Sequence, residues 1–285
     1  VQTKKKKYYR FIMKIGILGL GFVGGSMFKS FKLKGVDCIG YDKYKKIGNF
    51  ENVLDTDILF LCLPTLFDEE KNCYNKDEII KSLEKIKNYQ GFIVIKSTIE
   101  PGTTDELSTK YHKLKIIHNP EFLTARTAFE DFHYQKHIVI GKGPNCESVD
   151  ILKEFYEINY PEAEISVCTS LESESMKIFC NSFYASKVML FNEYYLLCQK
   201  NGSNFNTIKD LMLKNDWINP MHTNIPGPDG KLGYGGACFP KDTKALNEYM
   251  KNLGSENKVL QRVIEECEII RKDVEKLNLN HHFNI

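Results

Sequence analysis

The chain reads as an α/β protein: a doubly wound parallel sheet, followed by a long connecting helix and a small all-helical domain. Three observations predict this. Short apolar runs alternate with helix-period stretches over residues 14–168, the pattern of strands joined by crossover helices. The first apolar run leads straight into Gly19-Leu20-Gly21-Phe22-Val23-Gly24. An unbroken helical stretch over residues 169–200 follows, closed by Asn201-Gly202.

Composition bounds the rest. A length of 285 residues predicts two domains of ordinary size, and 42% hydrophobic residues sustain a sizeable core. The organisation expected is a basic, disordered lead-in over residues 1–12, a first domain over 13–168 and a second over 169–285. A net charge of +2 gives no global argument for nucleic acid, so no such partner is expected. Nine cysteines are an odd number without paired spacing, which predicts a reducing, cytoplasmic setting rather than a disulfide framework. No apolar run approaches the roughly 18 residues of a membrane helix. There is no CxxC pair, and His281-His282 lie in a terminal segment, so no metal is expected.

Residues 14–20 form the first predicted strand, residues 22–34 a helix, and residues 36–41 a second strand that ends at Asp42. GxGxxG alone is a weak signal. Strand, glycines, helix, strand and an acid about 20 residues on make it a Rossmann-type dinucleotide site. Glycine permits the turn and the close approach of a pyrophosphate, and the helix N-terminus favours its charge. Asp42 would accept from the ribose and repel a 2′-phosphate, which favours NAD over NADP. Lys43, Lys45 and Lys46 pull the other way.

The alternation continues with strands at 57–63, 91–97, 115–118, 137–141 and 164–168, and helices at 76–89, 103–112 and 145–156. The third strand ends at Pro64-Thr65. Ligands in such sheets bind beyond the carboxyl ends of the strands. Two informative stretches fall there: Lys96-Ser97-Thr98-Ile99-Glu100-Pro101-Gly102-Thr103 and Asn119-Pro120-Glu121-Phe122-Leu123.

In the long helix, Thr169 or Ser170 can cap the start, with Glu172 or Glu174 in the first turns. Lys177 and Asn181 are four apart and share a face with Glu174, Ala185 and Val188. The opposite side, with Ile178, Phe179, Phe183, Leu190, Tyr194 and Leu197, reads as core or dimer interface. A short helix over 204–214 comes next. Residues 215–236 are rich in Pro and Gly and hold the only tryptophan, Trp217. A loop of that length in a compact domain is usually functional or disordered, and this one reads as substrate-binding backbone. It runs into Gly233-Tyr234-Gly235-Gly236-Ala237-Cys238-Phe239-Pro240-Lys241-Asp242. A helix predicted over 242–253 puts Cys238 just before a helix N-terminus, which favours a thiolate, as does Lys241. A last helix is predicted over 255–277.

Gly-Gly-Ala-Cys-Phe-Pro-Lys-Asp resembles the catalytic signature of the UDP-glucose/GDP-mannose dehydrogenases. The resemblance runs from residue 13 to about residue 255 and places five motifs in order. It implies NAD, held by Gly19, Gly21, Phe22, Val23, Gly24, Asp42, Pro64, Thr65, Ser97 and Thr98. It implies a nucleotide-sugar substrate, UDP-glucose by default, contacted by Glu121, Phe122, Leu123, Lys177, Asn181, Tyr234, Gly235 and Gly236. Its catalytic set would be Cys238, Lys177, Asn181, Asp242, Glu121 and Thr98. The implied reaction is a four-electron oxidation of the sugar C6 alcohol to the uronic acid, through a thiohemiacetal and a thioester on Cys238. A homodimer through the helix at 169–200 is implied as well.

Three departures from the family pattern stand out. Ala125 and Arg126 occupy places where the family usually has an acid and then glycine. No arginine stands at or near Trp217, and Lys231 and His222 are the candidate substitutes. A third, nucleotide-binding domain typical of the family is expected to be lacking. Two other readings remain open at this stage. A two-electron hydroxyacid or phosphogluconate-type dehydrogenase shares the sheet, the long helix and a Lys/Asn pair but does not need Cys238. A non-catalytic NAD-binding module is the other.

Overall fold

The computed structural model describes residues 13–282, so the lead-in expected over residues 1–12 lies outside the described residues. The chain divides into two compact units. One runs to Leu66 and resumes over Tyr74–Lys177. The other comprises Phe67–Cys73 and the chain from Ile178 onward.

The first unit is built on β1 (Ile15–Leu18), α1 (Phe22–Leu33), β2 (Cys38–Tyr41), α2 (Phe50–Leu54) and β3 (Ile58–Leu61). Two two-residue strands, β4 (Phe67–Asp68) and β5 (Cys73–Tyr74), come next in the chain. Then follow α3 (Asp77–Lys85), β6 (Phe92–Ile95), α4 (Thr103–Lys110), β7 (Lys115–His118), α5 (Ala128–His133), β8 (His137–Lys142), α6 (Asp150–Asn159) and β9 (Glu164–Thr169). The strands pair in the order β2-β1-β3-β6-β7-β8-β9. Runs such as Ile-Gly-Ile-Leu and Ile-Leu-Phe-Leu are buried throughout because helices cover both faces of the sheet. One face packs Ile17, Phe31, Phe60, Phe155 and Tyr156, and the other packs Leu18, Leu61, Ile79, Ile93 and Ile116. Each such side chain contributes about 1.5–3 kcal/mol on burial.

The expected all-parallel sheet needs one correction. From β2 to β7 the pairing is parallel, but β8 runs antiparallel to β7, with Ile117 opposite Lys142 and His118 opposite Gly141. β9 is then parallel to β8. A parallel return needs a crossover that spans the sheet. The link from β7 to β8 instead holds the Asn119–Leu123 stretch and the six-residue α5, which packs on α1. It starts and ends at the same edge, so β8 enters where β7 leaves. Thr65, Thr98 and Glu121 follow the strands that end at that edge.

α7 (Ser170–Asn201) is a 32-residue helix whose first residues belong with the first unit. The second unit holds the remainder, with α8 (Phe205–Leu213), α9 (Phe239–Asn252) and α10 (Lys258–His282). Asn204 caps α8, accepting from the Thr207 N–H at 3.0 Å, a role its short polar side chain suits. Ala185, Met189, Phe191, Phe205, Tyr234 and Cys267 form this unit's core. Lys244 meets Glu69 at 2.8 Å, one of the contacts that place Phe67–Cys73 here. α9 begins at Phe239, earlier than the expected Asp242. Pro240 sits in its first turn, where the missing N–H leaves no helical bond unmade. Among the described residues no helix is long and apolar enough to cross a membrane.

Candidate active site

In the first unit the glycine loop follows β1. Gly19 has φ +86°, and a side chain there would meet the Cys62 carbonyl. A Cβ on Gly24 would run into the Gly19 carbonyl, so helix and turn close only without one. A Cβ on Gly21 would meet nothing within 4 Å, so the N-terminus of α1 opens onto unobstructed space. Phe22, at the first turn, is 72% exposed. Asp42, the residue after β2, is almost buried. Its carboxylate accepts N–H groups from Leu20 (2.8 Å), Lys45 (2.8 Å) and Tyr44 (3.0 Å). Burial pushes its pKa up, but these bonds outweigh it and hold the group below the usual carboxylate range. Lys45 turns its ammonium onto the Leu20 carbonyl at 2.5 Å.

Further along the same edge, the Ser97 hydroxyl donates to the Leu63 carbonyl at 2.5 Å and accepts the Leu63 N–H at 3.1 Å. Thr65 donates to the Thr98 carbonyl at 2.7 Å, and both threonines are buried. Pro64, which precedes Thr65, is exposed. Lys96 is buried, and its ammonium donates to Asn119 Oδ1 at 3.0 Å and to the Pro120 carbonyl at 3.1 Å. Asn119 also accepts from the Tyr156 hydroxyl at 2.6 Å and donates to the Val139 carbonyl at 2.6 Å. Burial pushes the Lys96 ammonium down to about 8, and nearby Lys177 adds to the fall.

Lys177, on the first part of α7, donates to the Glu121 carbonyl at 2.5 Å and pairs with the Glu121 carboxylate at 3.2 Å. The two side chains are 5% and 10% exposed. The other Glu121 oxygen accepts from the Leu123 N–H at 2.5 Å. Lys177 also lies 5.4 Å over the Phe122 ring, which stacks on His137, while Leu123 packs against the core. Glu174, one turn before Lys177, does not face solvent. Its carboxylate accepts the N–H groups of Gly102 (2.6 Å) and Thr104 (2.8 Å), at the start of α4. Burial pushes its pKa up to about 7.

In the second unit, Cys238 is exposed and occupies the N-cap position of α9, closer to the helix end than the sequence suggested. Asp242, in the first turn, has no exposed surface. Its carboxylate accepts from Asn181 Nδ2 at 2.5 Å and pairs with Lys241. The loop that delivers Cys238 is anchored from several helices. Asn192 of α7 accepts the Gly233 N–H at 2.9 Å, and the Cys267 thiol of α10 donates to the Tyr234 carbonyl at 3.3 Å. Tyr234 is 5% exposed, with its hydroxyl 3.3 Å from Thr243 Oγ1, so its ring serves the core and only its backbone can face a ligand. Gly235 is partly exposed and Gly236 exposed. Of the candidate arginine substitutes, His222 has φ +64° and packs on Tyr184 and Phe239, and Lys231 gives its backbone N–H to Asp229 Oδ1 at 3.1 Å.

Residues 45–159 match the NAD binding domain of the UDP-glucose/GDP-mannose dehydrogenase family, and residues 171–267 match its central domain. The chain belongs to that family. It is 34% identical over 221 residues to UDP-glucose 6-dehydrogenase from Rickettsia bellii, covering 75% of this chain and 50% of that protein. It is 31% identical over 238 residues to UDP-glucose 6-dehydrogenase from Campylobacter jejuni, covering 82% and 58%. The chain thus spans about half the length of the curated relatives it matches. A UDP-glucose dehydrogenase structure from Pyrobaculum islandicum superposes with a TM-score of 0.77 at 25% identity, over 90% of this chain and 69% of the other.

NAD is the cofactor of this family's first domain, and the glycine loop fits it. The open face of Gly21 and the α1 N-terminus suit a pyrophosphate. Asp42 Oδ2 accepts the Leu20 N–H, and a carboxylate oxygen has two lone pairs, which leaves acceptor capacity for a ribose hydroxyl.

Sequence reasoning missed the role of Lys96, although it stands in a quoted motif, and placed Glu174 among residues of a functional face. A lysine with no charged neighbour in sequence gives no local sign that it will be buried. Arg271 was missed altogether.

Proposed function

We propose that the chain carries an NAD-dependent oxidation of a nucleotide-sugar C6 alcohol to the uronic acid, with UDP-glucose as the substrate. The observation that carries the reading is Cys238 at the N-terminus of α9, with the buried Asp242 one turn on and Asn181 bonded to it. A thiol at a helix N-terminus is favoured as thiolate, the form that attacks a carbonyl.

When bound, NAD supplies the hydride acceptor for each of the two oxidations. Cys238 Sγ attacks the intermediate aldehyde to form a thiohemiacetal. After the second oxidation it carries a thioester, so the aldehyde need not leave between steps. Lys177 and Asn181 donate to the oxygen on which charge develops, a role worth about 3–4 kcal/mol for a preorganised donor. Thr98, Glu121 and Asp242 position the water that hydrolyses the thioester. The Lys177 ammonium and the Asn181 amide are already drawn to carboxylates in the ground state, so neither has to be ordered at the moment of reaction. The 54%, 64%, 49% and 58% exposure of Phe179, Phe183, Leu190 and Leu197 on α7 supports a homodimer through this helix.

A panel of sugar nucleotides with NAD, read by NADH absorbance against sugar consumed, tests the reading. Two NADH per UDP-glucose are expected. One NADH would mean a two-electron dehydrogenase, and none with any sugar would leave an NAD-binding module.

A further inference from the structure

Arg271 lies in α10, far along the chain from the loop that ends in Cys238, yet its guanidinium forms the surface beneath that loop. A Cβ added to Gly235 would lie 2.5 Å from Arg271 Nη2, 2.8 Å from Cζ and 3.0 Å from Nη1. All three atoms of one planar group are therefore met at once, so the backbone at Gly235 rests on the plane of the guanidinium. A Cβ on Gly233, whose φ is +72°, would lie 3.4 Å from Arg271 Cγ and 3.6 Å from Nε, and 3.0 Å from Cys267 Sγ. Gly235 thus has a local cause in the second unit itself, since a side chain there would displace the Arg271 guanidinium, while Gly233 is held tight by Cys267 and its positive φ.

The guanidinium is fixed in turn. Nη2 donates to Asp229 Oδ2 at 2.8 Å, and Asp229 Oδ1 accepts the Lys231 N–H at 3.1 Å, which ties the arginine to the segment that precedes the glycines. Among the described residues Nε is buried without a hydrogen-bond partner. The loop therefore sits on the arginine by shape rather than by a bond to Nε. A planar fork offers such a surface, whereas a lysine ammonium is a point charge on a flexible stem.

We propose that Arg271 is a positioning residue, setting the path of Gly233-Tyr234-Gly235 so that Cys238 is held at the N-terminus of α9. The role in catalysis rests on Cys238 being the nucleophile, but the positioning does not. Without the guanidinium the loop sags into the space it occupied, and the Cys238 side chain turns away from the helix end that favours its thiolate.

The test is the rate of iodoacetamide alkylation of Cys238 in the full chain, followed by peptide mass spectrometry, with thermal melting measured alongside. Arg271→Ala and Arg271→Lys are each expected to slow alkylation about tenfold, from loss of the helix-end environment of the thiol. Added guanidinium ion should restore much of the rate in Arg271→Ala and leave the unmutated protein unchanged, which a general loss of packing would not do. Gly235→Ala, which keeps the arginine, should slow alkylation on its own, and should have no further effect in the Arg271→Ala background. Unchanged alkylation in Arg271→Ala would overturn the proposal. So would failure of guanidinium to rescue, or additive effects of the two substitutions. Should Arg271→Ala not fold, an unmutated rate in Gly235→Ala decides against it. Normal turnover by Cys238→Ser would instead remove the proposed chemistry and leave the positioning standing.

Discussion

Replacing Lys177 with methionine tests how the first unit holds Glu121. The Glu121 side chain is 10% exposed and faces the Lys177 ammonium at 3.2 Å, and Lys177 is itself 5% exposed. Methionine fills the same stem but leaves a nearly buried carboxylate that keeps the Leu123 N–H and has lost its counter-charge. Removing one member of a buried pair costs about 3–5 kcal/mol, because the surviving charge is left uncompensated. The lost bond to the Glu121 carbonyl adds about 1 kcal/mol. Together these are about 4–6 kcal/mol, and at about 0.6 kcal/mol per kelvin of unfolding entropy for a chain of this size the melting temperature should fall by about 7–10 °C. Glu121→Gln in the Lys177→Met background removes the orphaned charge and should recover most of the loss. Differential scanning calorimetry of the two single variants and the double variant gives the coupling directly. A double variant as unstable as the sum of the singles would refute the reasoning, since it would show that the two groups do not compensate each other.

Asp42→Ala should weaken NAD and relax discrimination against NADP, read as the ratio of the two dissociation constants; equal affinity for both cofactors in the unmutated protein would contradict the role given to Asp42. Glu174 has a carboxyl raised by burial from 4.5 to about 7, so between these values the folded form keeps its proton while the unfolded chain has lost it. Stability should therefore fall as pH rises from about 4.5 to 7, by about 3 kcal/mol for this group, and Glu174→Gln should flatten that fall in a pH series of melting curves.

Much of the first unit was legible because its signals are local. Buried strands read as apolar runs, and the GxGxxG turn needs glycine for reasons visible in its own spacing. Gly19 and Gly24 meet the Cys62 and Gly19 carbonyls as that spacing implies. Strand direction was not legible. Nothing within the β8 sequence says whether it runs with or against β7, since that depends on where residues 119–136 bring the chain back. Tyr234 read as a substrate contact because it stands in the motif, while its ring is buried against Thr243. Its position in the motif was visible, but the direction its side chain takes depends on α9. Arg271 left no signal at all. An arginine on the polar side of a terminal helix looks like any solvated charge until the fold lays a glycine loop across it. Glu174 read as part of a functional face, but it binds the backbone of α4, a partner that no helical periodicity reveals.

The central claim is covalent catalysis by Cys238, and mass spectrometry of the intact protein mixed with UDP-glucose and NAD tests it most directly. With Glu121→Gln slowing hydrolysis, an adduct of the sugar nucleotide is expected to accumulate and to map to the peptide that contains Cys238. Cys238→Ser should form no uronate while binding NAD as before, because a serine alkoxide is far harder to generate at neutral pH than a thiolate. A Cys238→Ser protein that turns over at the unmutated rate, with no adduct in any variant, would contradict the account and leave Cys238 a structural residue in a glycine-rich loop.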